Sequence, residues 1–429
     1  MTKIGGGRPA TAKPGIIAWC FYDWANSAFP AVISTFVFST YFTQAVAENP
    51  TIGTAQWSWA ITASALFVAA LGPVLGAISD AAGPRKPWLL GFTLVSAVAC
   101  GLMWFVHPHP YDVVLALALY AVANAAFEFG TVFYNAMLAD IAPPSWIGRI
   151  SGWGWGLGYA GGLACLVVVL VLFVQAESPA LGLERAEAEH VRVVGPLAGV
   201  WYFLFALPLF LFTPDIASKG LRLKRAIREG SASLWRSLRH IREHGNVVRY
   251  LIAHMIYTDG LNTLFAFGGI FAAGSFGMTI EEVTMFGIAL NVTAGLGAAA
   301  FAWIDDWIGA KRTIALALVG LTLVGGTLLL VTGKAAFWVL ALLLGVFFGP
   351  AQAASRSLMA RLAPAQLRTE MFGLFAMSGK ATSFVGPFVL GWVTLVFDSQ
   401  RVGMATVLVF FVVGLGILIG VREPRLQPD

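Results

Sequence analysis

Charged residues are scarce in this chain. Asp, Glu, Lys and Arg make up 11% of its 429 residues, whereas 58% of the residues are apolar. Soluble domains carry about 25% charged residues, so this composition excludes a soluble globular protein. Apolar segments of about 20 residues are long enough to cross a bilayer as helices. The composition therefore predicts an all-α integral membrane protein whose main partner is the lipid bilayer.

Cysteine and clustered metal ligands are also lacking. Cys20, Cys100 and Cys165 all fall in apolar segments, where we expect small core residues rather than a disulfide framework. His107 and His109 have no matching third ligand, so no metal site is predicted.

A nucleotide-binding motif is missing as well. The stretch GLFAMSGKA, residues 373–381, resembles a phosphate-binding loop only superficially. Its spacing is one residue too long and no Ser or Thr follows Lys380. We therefore expect no cofactor and no enzymatic activity, and any energy must come from an ion gradient or a solute gradient.

Apolar segments sufficient for twelve membrane-spanning helices are present, called spans 1 to 12 in chain order. The first is too long for the apolar core of a signal peptide, so no removable leader is expected. The spans are predicted at residues 17–46, 57–79, 87–106, 111–139, 150–174, 195–213, 248–273, 283–304, 311–331, 335–360, 371–396 and 401–421.

Basic residues are distributed unequally between the two sides of such a bundle. The side with both termini and the loops after even-numbered spans holds 21 of them, against 4 on the other side. This bias predicts that both termini lie in the cytoplasm. We expect the protein in the plasma (inner) membrane. It also accounts for the sequence pI near 9.2, so no nucleic-acid partner is needed.

Two loops indicate an internal duplication. GAISDAAGPRK after span 2 and AWIDDWIGAKR after span 8 match at an offset of 226 residues, pairing Asp80 with Asp306 and Gly83 with Gly309. The turns after spans 4 and 10 match at an offset of 221. We predict two pseudo-symmetric six-helix bundles at 17–213 and 248–421, a linker at 214–247 with an interfacial basic helix, and tails at 1–16 and 422–429.

Several stretches resemble a known family. The duplicated loop G-x-x-x-D-x-x-G-x-R-K resembles the signature of the major facilitator superfamily. YDWANSAF, YNAMLADIAP, YTDGLNT and SRSLMARLAP resemble the vacuolar amino-acid effluxer family linked to autophagy. The resemblance runs from about residue 17 to 421 and implies the major facilitator fold and secondary transport. An amino acid as substrate is its weaker implication, because bacterial relatives are largely of unassigned substrate.

The resemblance also implies gating loops. Asp80 is expected to cap the start of span 11, and Arg85 to meet Asp140 at the end of span 4. In the second half Arg361 stands at the position that matches Asp140. The contact that holds the second gating loop is therefore expected to be weaker or built differently. The predicted gating residues are Asp80, Gly83, Arg85, Asp140, Asp306, Gly309 and Arg312.

Polar side chains recur at helical spacing in spans 1, 4, 7 and 10, which the major facilitator plan places around a central cavity. Charges within a bilayer are costly and mark functional sites by default. The predicted substrate and proton pathway consists of Asp23, Asn26, Asn124, Glu128, Asp259, Asn262, Gln352, Arg356 and Lys380.

Each of these charges also has a structural interpretation. Asp23 and Asp259 either handle the substrate or proton, or pair with neighbouring helices to hold a gate closed. Glu128 at midspan is the favoured proton carrier, against an ion pair with Arg356 or Lys380. Arg356 suits a substrate carboxylate, because a guanidinium binds carboxylates with two parallel hydrogen bonds.

The sequence thus predicts a monomeric secondary transporter that exports a small polar solute in exchange for protons, with an amino acid as the candidate solute. One rival is proton-driven efflux of amphiphilic drugs, given 15 tryptophans and 32 phenylalanines. Another is a sensor or scaffold that does not transport, although two gating loops speak against it.

Overall fold

The computed structural model describes residues 3–4, 8–9, 13–221, 223–239 and 244–424. These residues are helical apart from short connections and an antiparallel pair of two-residue strands, Lys3–Ile4 and Arg8–Pro9. The observed spans are Lys13–Val46, Pro50–Ala82, Lys86–Phe105, Pro110–Ile141, Pro144–Val174, Glu189–Phe212, Gly245–Phe276, Ile280–Ile308, Ala310–Leu330, Lys334–Leu362, Arg368–Phe397 and Gln400–Ile419.

Span 7 differs from the others in composition. Eleven of the spans in the described ranges are long and apolar enough to cross a membrane by those criteria alone. Span 7 is 32 residues long and packs against spans 12 and 11, but His254, Asp259 and Asn262 dilute its apolar residues. Span 7 is therefore a member of the bundle, and these polar residues account for its lower hydropathy.

Spans 1 and 11 are among the spans that depart from regular α-helix. Span 1 contains a π-helical stretch, Phe29–Phe36, whose second residue, Pro30, has no backbone donor. Span 11 consists of two α-helical segments, Arg368–Lys380 and Val385–Phe397. Pro387 cannot donate to the carbonyl four residues earlier and crowds it, which accounts for the break.

The two halves meet through equivalent helices. Span 2 packs against span 11, and span 5 packs against span 8. Gly152 and Gly373 correspond at the offset of 221 and lie at these two contacts. A Cβ on Gly373 would be 2.5 Å from the carbonyl oxygen of Gly72, and one on Gly152 would be 2.6 Å from that of Ala298. Glycine thus permits both close approaches.

Both described chain ends lie on one face of the bundle, called the termini face. Thr213 after span 6 donates to the Gly15 carbonyl at 2.8 Å. Asp215 accepts from the backbone of Arg85 at 3.0 Å. Glu423 accepts from the backbone of Ala310 at 2.9 Å. The loops after the even-numbered spans therefore share this face with the termini.

The linker contains a helix, Leu223–Arg239, that packs on span 2. A Cβ on Gly230 would be 2.6 Å from Cα of Ile78, so glycine allows this contact. Arg236 and Arg239 lie on its exposed side. The basic helix begins earlier than the expected 233–244, and residues 240–243 lie outside the described ranges.

Gly76 in span 2 tests the contact between the halves. A Cβ there would overlap the Thr369 carbonyl and lie 2.9 Å from the Glu370 nitrogen. We expect Gly76→Ala to lower the thermal unfolding temperature of the purified protein, since overpacking costs about 1–3 kcal/mol. Gly91→Ala is the matched control, because no atom lies within 4 Å of its added Cβ. Equal unfolding temperatures for Gly76→Ala and the wild type would contradict this packing.

Candidate functional site

A central cavity of about 390 Å³ lies between the halves. Spans 1, 4, 5, 7, 8 and 10 all contribute to its wall. Thr35 and Phe36 line it and follow Asp23 along span 1, so the cavity extends from Asp23 away from the termini face. Its polar lining residues are Asp23, Asn26, Ser27, Thr35, Thr131, Asn135, Tyr159, Asn262, Asn291, Gln352 and Arg356.

The floor of the cavity is an ion pair between the halves. Arg356 Nη1 of span 10 donates to Asp23 Oδ2 of span 1 at 2.8 Å. The arginine is 3% exposed and the aspartate 9%. A charge pair this buried must have its remaining polar atoms satisfied to be stable.

Arg356 obtains its further partners from spans 4 and 5. Its Nε donates to Ser151 Oγ at 2.9 Å, Nη2 donates to the Ser151 carbonyl at 2.7 Å, and Nη1 reaches Asn135 Oδ1 at 3.3 Å. The guanidinium carbon also lies 5.0 Å from the centre of the Trp19 ring, a cation–π distance. A side chain of the second half is thus bound by the first half.

The local sequence explains why the pair can form here. Trp19 and Tyr134 stack with ring centres 4.3 Å apart and build a rigid wall beside the guanidinium. Gly154 supplies the space opposite, because a Cβ there would lie 2.5 Å from Asp23 Oδ2 and 2.8 Å from Arg356 Nη2. The glycine-rich start of span 5 therefore makes room for two charges.

Five of the nine predicted pathway residues line the cavity, and the other four lie elsewhere in the bundle. The five are Asp23, Asn26, Asn262, Gln352 and Arg356. Gln352 is fixed by Tyr159, whose hydroxyl donates to its Oε1 at 2.6 Å. The polar faces of spans 1, 7 and 10 thus reach a shared space, together with Thr131 and Asn135 of span 4.

The four others lie outside the cavity lining. Lys380 Nζ donates to Glu128 Oε1 at 2.7 Å, which is the ion pair held open as the alternative for Glu128. Asn124 donates to Ser64 Oγ at 2.8 Å. Asp259 is 2% exposed and accepts from the backbone of span 11. Glu128 is therefore not an isolated carboxyl.

The first gating loop makes the contacts that the resemblance implies. Asp80 accepts from the backbone nitrogens of Thr369 at 3.1 Å and Glu370 at 2.9 Å, at the start of span 11. Arg85 pairs with Asp140 and donates to Thr369 Oγ1 at 2.8 Å. Gly83 provides the turn, with a φ of 108° that favours glycine.

The second gating loop uses the opposite charge arrangement. Asp306 accepts from the Gly148 nitrogen at 2.9 Å, at the start of span 5. Arg361, which replaces the missing acid, pairs with Asp305 at 2.7 Å and with Glu423 at 2.8 Å. This lock is therefore built differently.

Gly309, Arg312 and Arg368 also lie on the termini face. Gly309 has a φ of 95°, whereas Arg312 is exposed and makes no described hydrogen bond within residues 244–424. Arg368 of span 11 pairs with Asp140 of span 4 and so joins the halves. The face is closed by these contacts below the Asp23–Arg356 floor.

Some important residues were not predicted from the sequence. Asp305 could have been noticed, because it is the neighbour of Asp306 in the signature loop. Ser151 and Glu423 give no such signal, since a serine near a helix start and a glutamate in a charged tail are ordinary features.

Comparison with known proteins agrees with this geometry. The profile of the family described as "Vacuole effluxer Atg22 like" matches residues 11–428. An "Uncharacterized MFS-type transporter YxiO" of Bacillus subtilis is 26% identical over 412 residues, which cover 95% of this chain and 94% of that protein. "Autophagy-related protein 22" of Kluyveromyces lactis is 25% identical over 380 residues, which cover 80% of this chain and 73% of that protein.

Solved structures show the same fold at low sequence identity. FucP, a major facilitator transporter in the outward conformation, has a TM-score of 0.73 at 15% identity, covering 96% of this chain and 99% of that one. The proton:xylose symporter XylE has a TM-score of 0.72 at 14% identity, covering 96% of each chain.

Two duplicated six-helix halves around a central cavity define a major facilitator transporter, not an enzyme. Within that superfamily, the chain belongs to the vacuole effluxer Atg22-like family. The predictions of the fold, of the family and of an integral membrane transporter are confirmed.

The Asp23–Arg356 pair can be tested by a double-mutant cycle. Removing one partner of a buried ion pair typically costs about 3–5 kcal/mol, because it leaves an unmatched charge. We expect Asp23→Asn and Arg356→Gln each to lower the thermal unfolding temperature strongly. The decrease in the double variant should be much smaller than the sum of the two single decreases. Additive losses would show that the two side chains do not depend on each other.

Proposed function

We propose that this transporter exports a small zwitterionic solute, an amino acid, by proton-coupled alternating access. The observation that carries the proposal is the cavity floor, where a carboxylate and a guanidinium lie side by side among amides. An amino acid offers one ammonium and one carboxylate, which match these two groups. A cavity of about 390 Å³ is large enough for such a solute.

Arg356 and Asp23 would bind the solute by exchanging partners. In the closed state each neutralises the other, so neither charge is left unmatched. When the halves separate at the termini face, the pair opens and a solute can supply a carboxylate to Arg356 and an ammonium to Asp23. Asn26, Asn262 and Gln352 would then orient the solute by hydrogen bonds.

Opening the termini face requires the loss of four ion pairs that join the halves within the described part of the chain. These pairs are Asp23–Arg356, Glu128–Lys380, Asp140–Arg368 and Arg149–Asp306. Asp80 would also have to release the start of span 11. The number of contacts supports a switch with two discrete states rather than a gradual deformation.

The names of the family and its relatives support export, and the charge bias supports the orientation of the protein in the membrane. The family description names an effluxer, and relatives bear the name of an autophagy protein. The excess of basic residues at the termini face supports a cytoplasmic location for that face in the plasma membrane. A monomer suffices, because the cavity lies within one chain.

Efflux of amphiphilic drugs is a second candidate, favoured by the aromatic residues that line the cavity. Its lining includes six aromatic side chains: Phe36, Phe127, Trp155, Tyr159, Phe265 and Phe348. They would accept an apolar ring while the charged floor accepts a cationic group. A counterflow screen in liposomes with amino acids, peptides, organic acids and dyes separates the candidates: exchange of dyes but not of amino acids would overturn the amino-acid proposal.

Asparagine variants test whether the cavity is the binding site. We expect Asn262→Ala to raise the KM for counterflow of the exchanged amino acid about tenfold, since a lost hydrogen bond in a site costs about 1–2 kcal/mol. Asn124→Ala is the matched control, because Asn124 bonds Ser64 outside the cavity lining. An unchanged KM for Asn262→Ala, or an equal rise in both variants, would contradict this location.

Cysteine labelling tests the orientation. The native cysteines are buried, so they give little background. Ser218 on the termini face and Ser178 on the opposite face are both exposed. In intact cells we expect a membrane-impermeant maleimide to label Ser178→Cys, and to label Ser218→Cys only after permeabilisation. The reverse pattern would place the termini outside the cell.

A further inference from the structure

Asp259 is a buried carboxyl for which the described residues provide no basic partner. Only 2% of its surface is exposed, and its Oδ1 has no hydrogen-bond partner among the described residues. Two other acids within the spans are neutralised, Asp23 by Arg356 and Glu128 by Lys380. An ionised carboxylate in this position would be left without compensation, which is strongly unfavourable.

The internal duplication explains why the partner is missing. Asp23 and Asp259 occupy corresponding positions in the two halves. Asp23 is paired with Arg356, and the offset of 221 places Asn135 at the position equivalent to this arginine. The second half thus kept the acid, whereas the first half has an amide where a cation would be required to match it.

Asp259 contacts the break in span 11. Its Oδ2 accepts from the Gly386 nitrogen at 3.2 Å, at the start of the segment Val385–Phe397. A Cβ on Gly386 would overlap the Thr263 hydroxyl and lie 3.0 Å from Asp259 Oδ1, so glycine allows the close approach. The exposed amides of a helix start favour a negative charge. The strength of this contact therefore depends on whether Asp259 carries a proton.

The charged groups on neighbouring helices are occupied elsewhere. On span 7 itself, His254 Nδ1 lies 2.8 Å from Ser378 Oγ of span 11. Lys380, before the break, is bound by Glu128, and Arg356 of span 10 is bound by Asp23. Span 12 packs phenylalanines, including Phe411, against Gly260. A proton is thus the simplest means of neutralising Asp259.

We propose that Asp259 is the proton-binding site that couples transport to the pH gradient, and that the break in span 11 transmits its state. This inference rests on the proposed proton-coupled transport. Asn262, one turn away, lines the central cavity and gives a route for the proton. Binding the proton forms an O–H bond on the carboxylate and removes its charge. Loss of the proton strengthens the hold of Asp259 on Gly386.

Span 11 can carry this signal because both of its segments are held near the break. Lys380 ends the first segment and is bound to Glu128 of the first half. Gly386 begins the second segment and is bound to Asp259 of its own half. A shift of the second segment toward the charged carboxylate therefore pulls on the Glu128–Lys380 contact that joins the halves.

Transport in proteoliposomes tests the proposal with Asp259→Asn, which keeps the acceptor for Gly386 but cannot titrate. The probe is the amino acid that wild-type protein exchanges by counterflow. We expect the variant to retain counterflow and to lose accumulation driven by a pH gradient. Wild type gains about tenfold accumulation per pH unit for one proton per solute, which corresponds to about 1.4 kcal/mol. Asp398→Asn, at an exposed carboxyl beyond the second segment, is the matched control and keeps both activities.

Accumulation by Asp259→Asn equal to wild type would overturn the proposal, as would wild-type accumulation that follows a sodium gradient instead. Absence of amino-acid counterflow in wild type would instead overturn the proposed function.

A second measurement needs no solute, so it also applies to a variant that does not exchange the amino acid. Infrared titration of the protein in liposomes should show a protonated-carboxyl band that Asp259→Asn removes and Glu128→Gln leaves. A band unchanged in Asp259→Asn would also overturn the proposal.

Discussion

The arrangement of the whole bundle depends on how one permanently charged side chain is satisfied inside it. Arg356 belongs to the second half, but the described groups that bind its guanidinium belong to spans 1, 4 and 5. A guanidinium keeps its charge at any pH the protein meets, so it cannot be neutralised by losing a proton. When the halves separate, the guanidinium must therefore be compensated by water or by another anion in place of Asp23. A solute carboxylate fits that requirement, and in the proposed mechanism this links substrate binding to the opening of the bundle.

Much of the fold followed from the sequence because lipid imposes simple rules. The scarcity of charge, the length of the apolar segments and the repeated loops around Asp80 and Asp306 predicted the helices and their duplication. The polar stripes were also sufficient to predict that Asp23 and Arg356 line a central cavity. These inferences depend on helical spacing and on composition, which the chain alone contains.

The side-chain partners could not be predicted in the same way. Three residues along a helix turn the side chain to a direction about 60° away, so Asn262 reaches the cavity whereas Asp259 faces span 11. Glu128 and Thr131 differ by the same step, and only Thr131 lines the cavity. Which neighbour meets each side chain depends on tertiary packing, as the pair of Lys380 and Glu128 shows. The helical spacing of the polar residues correctly predicted which faces of the helices are polar. It did not predict which of these side chains point into the cavity.

The opposite charge arrangement of the two gating loops bears on the origin of the chain. At the offset of 221, Asp140 corresponds to Arg361, and Arg368 corresponds to Ile147. Asp140 now pairs with Arg368 across the halves. A symmetric assembly of two first halves would place Asp140 against an isoleucine, and one of two second halves would place Arg361 against Arg368. The Asp140–Arg368 pair therefore requires two unlike halves, and an assembly of two identical halves would lack it.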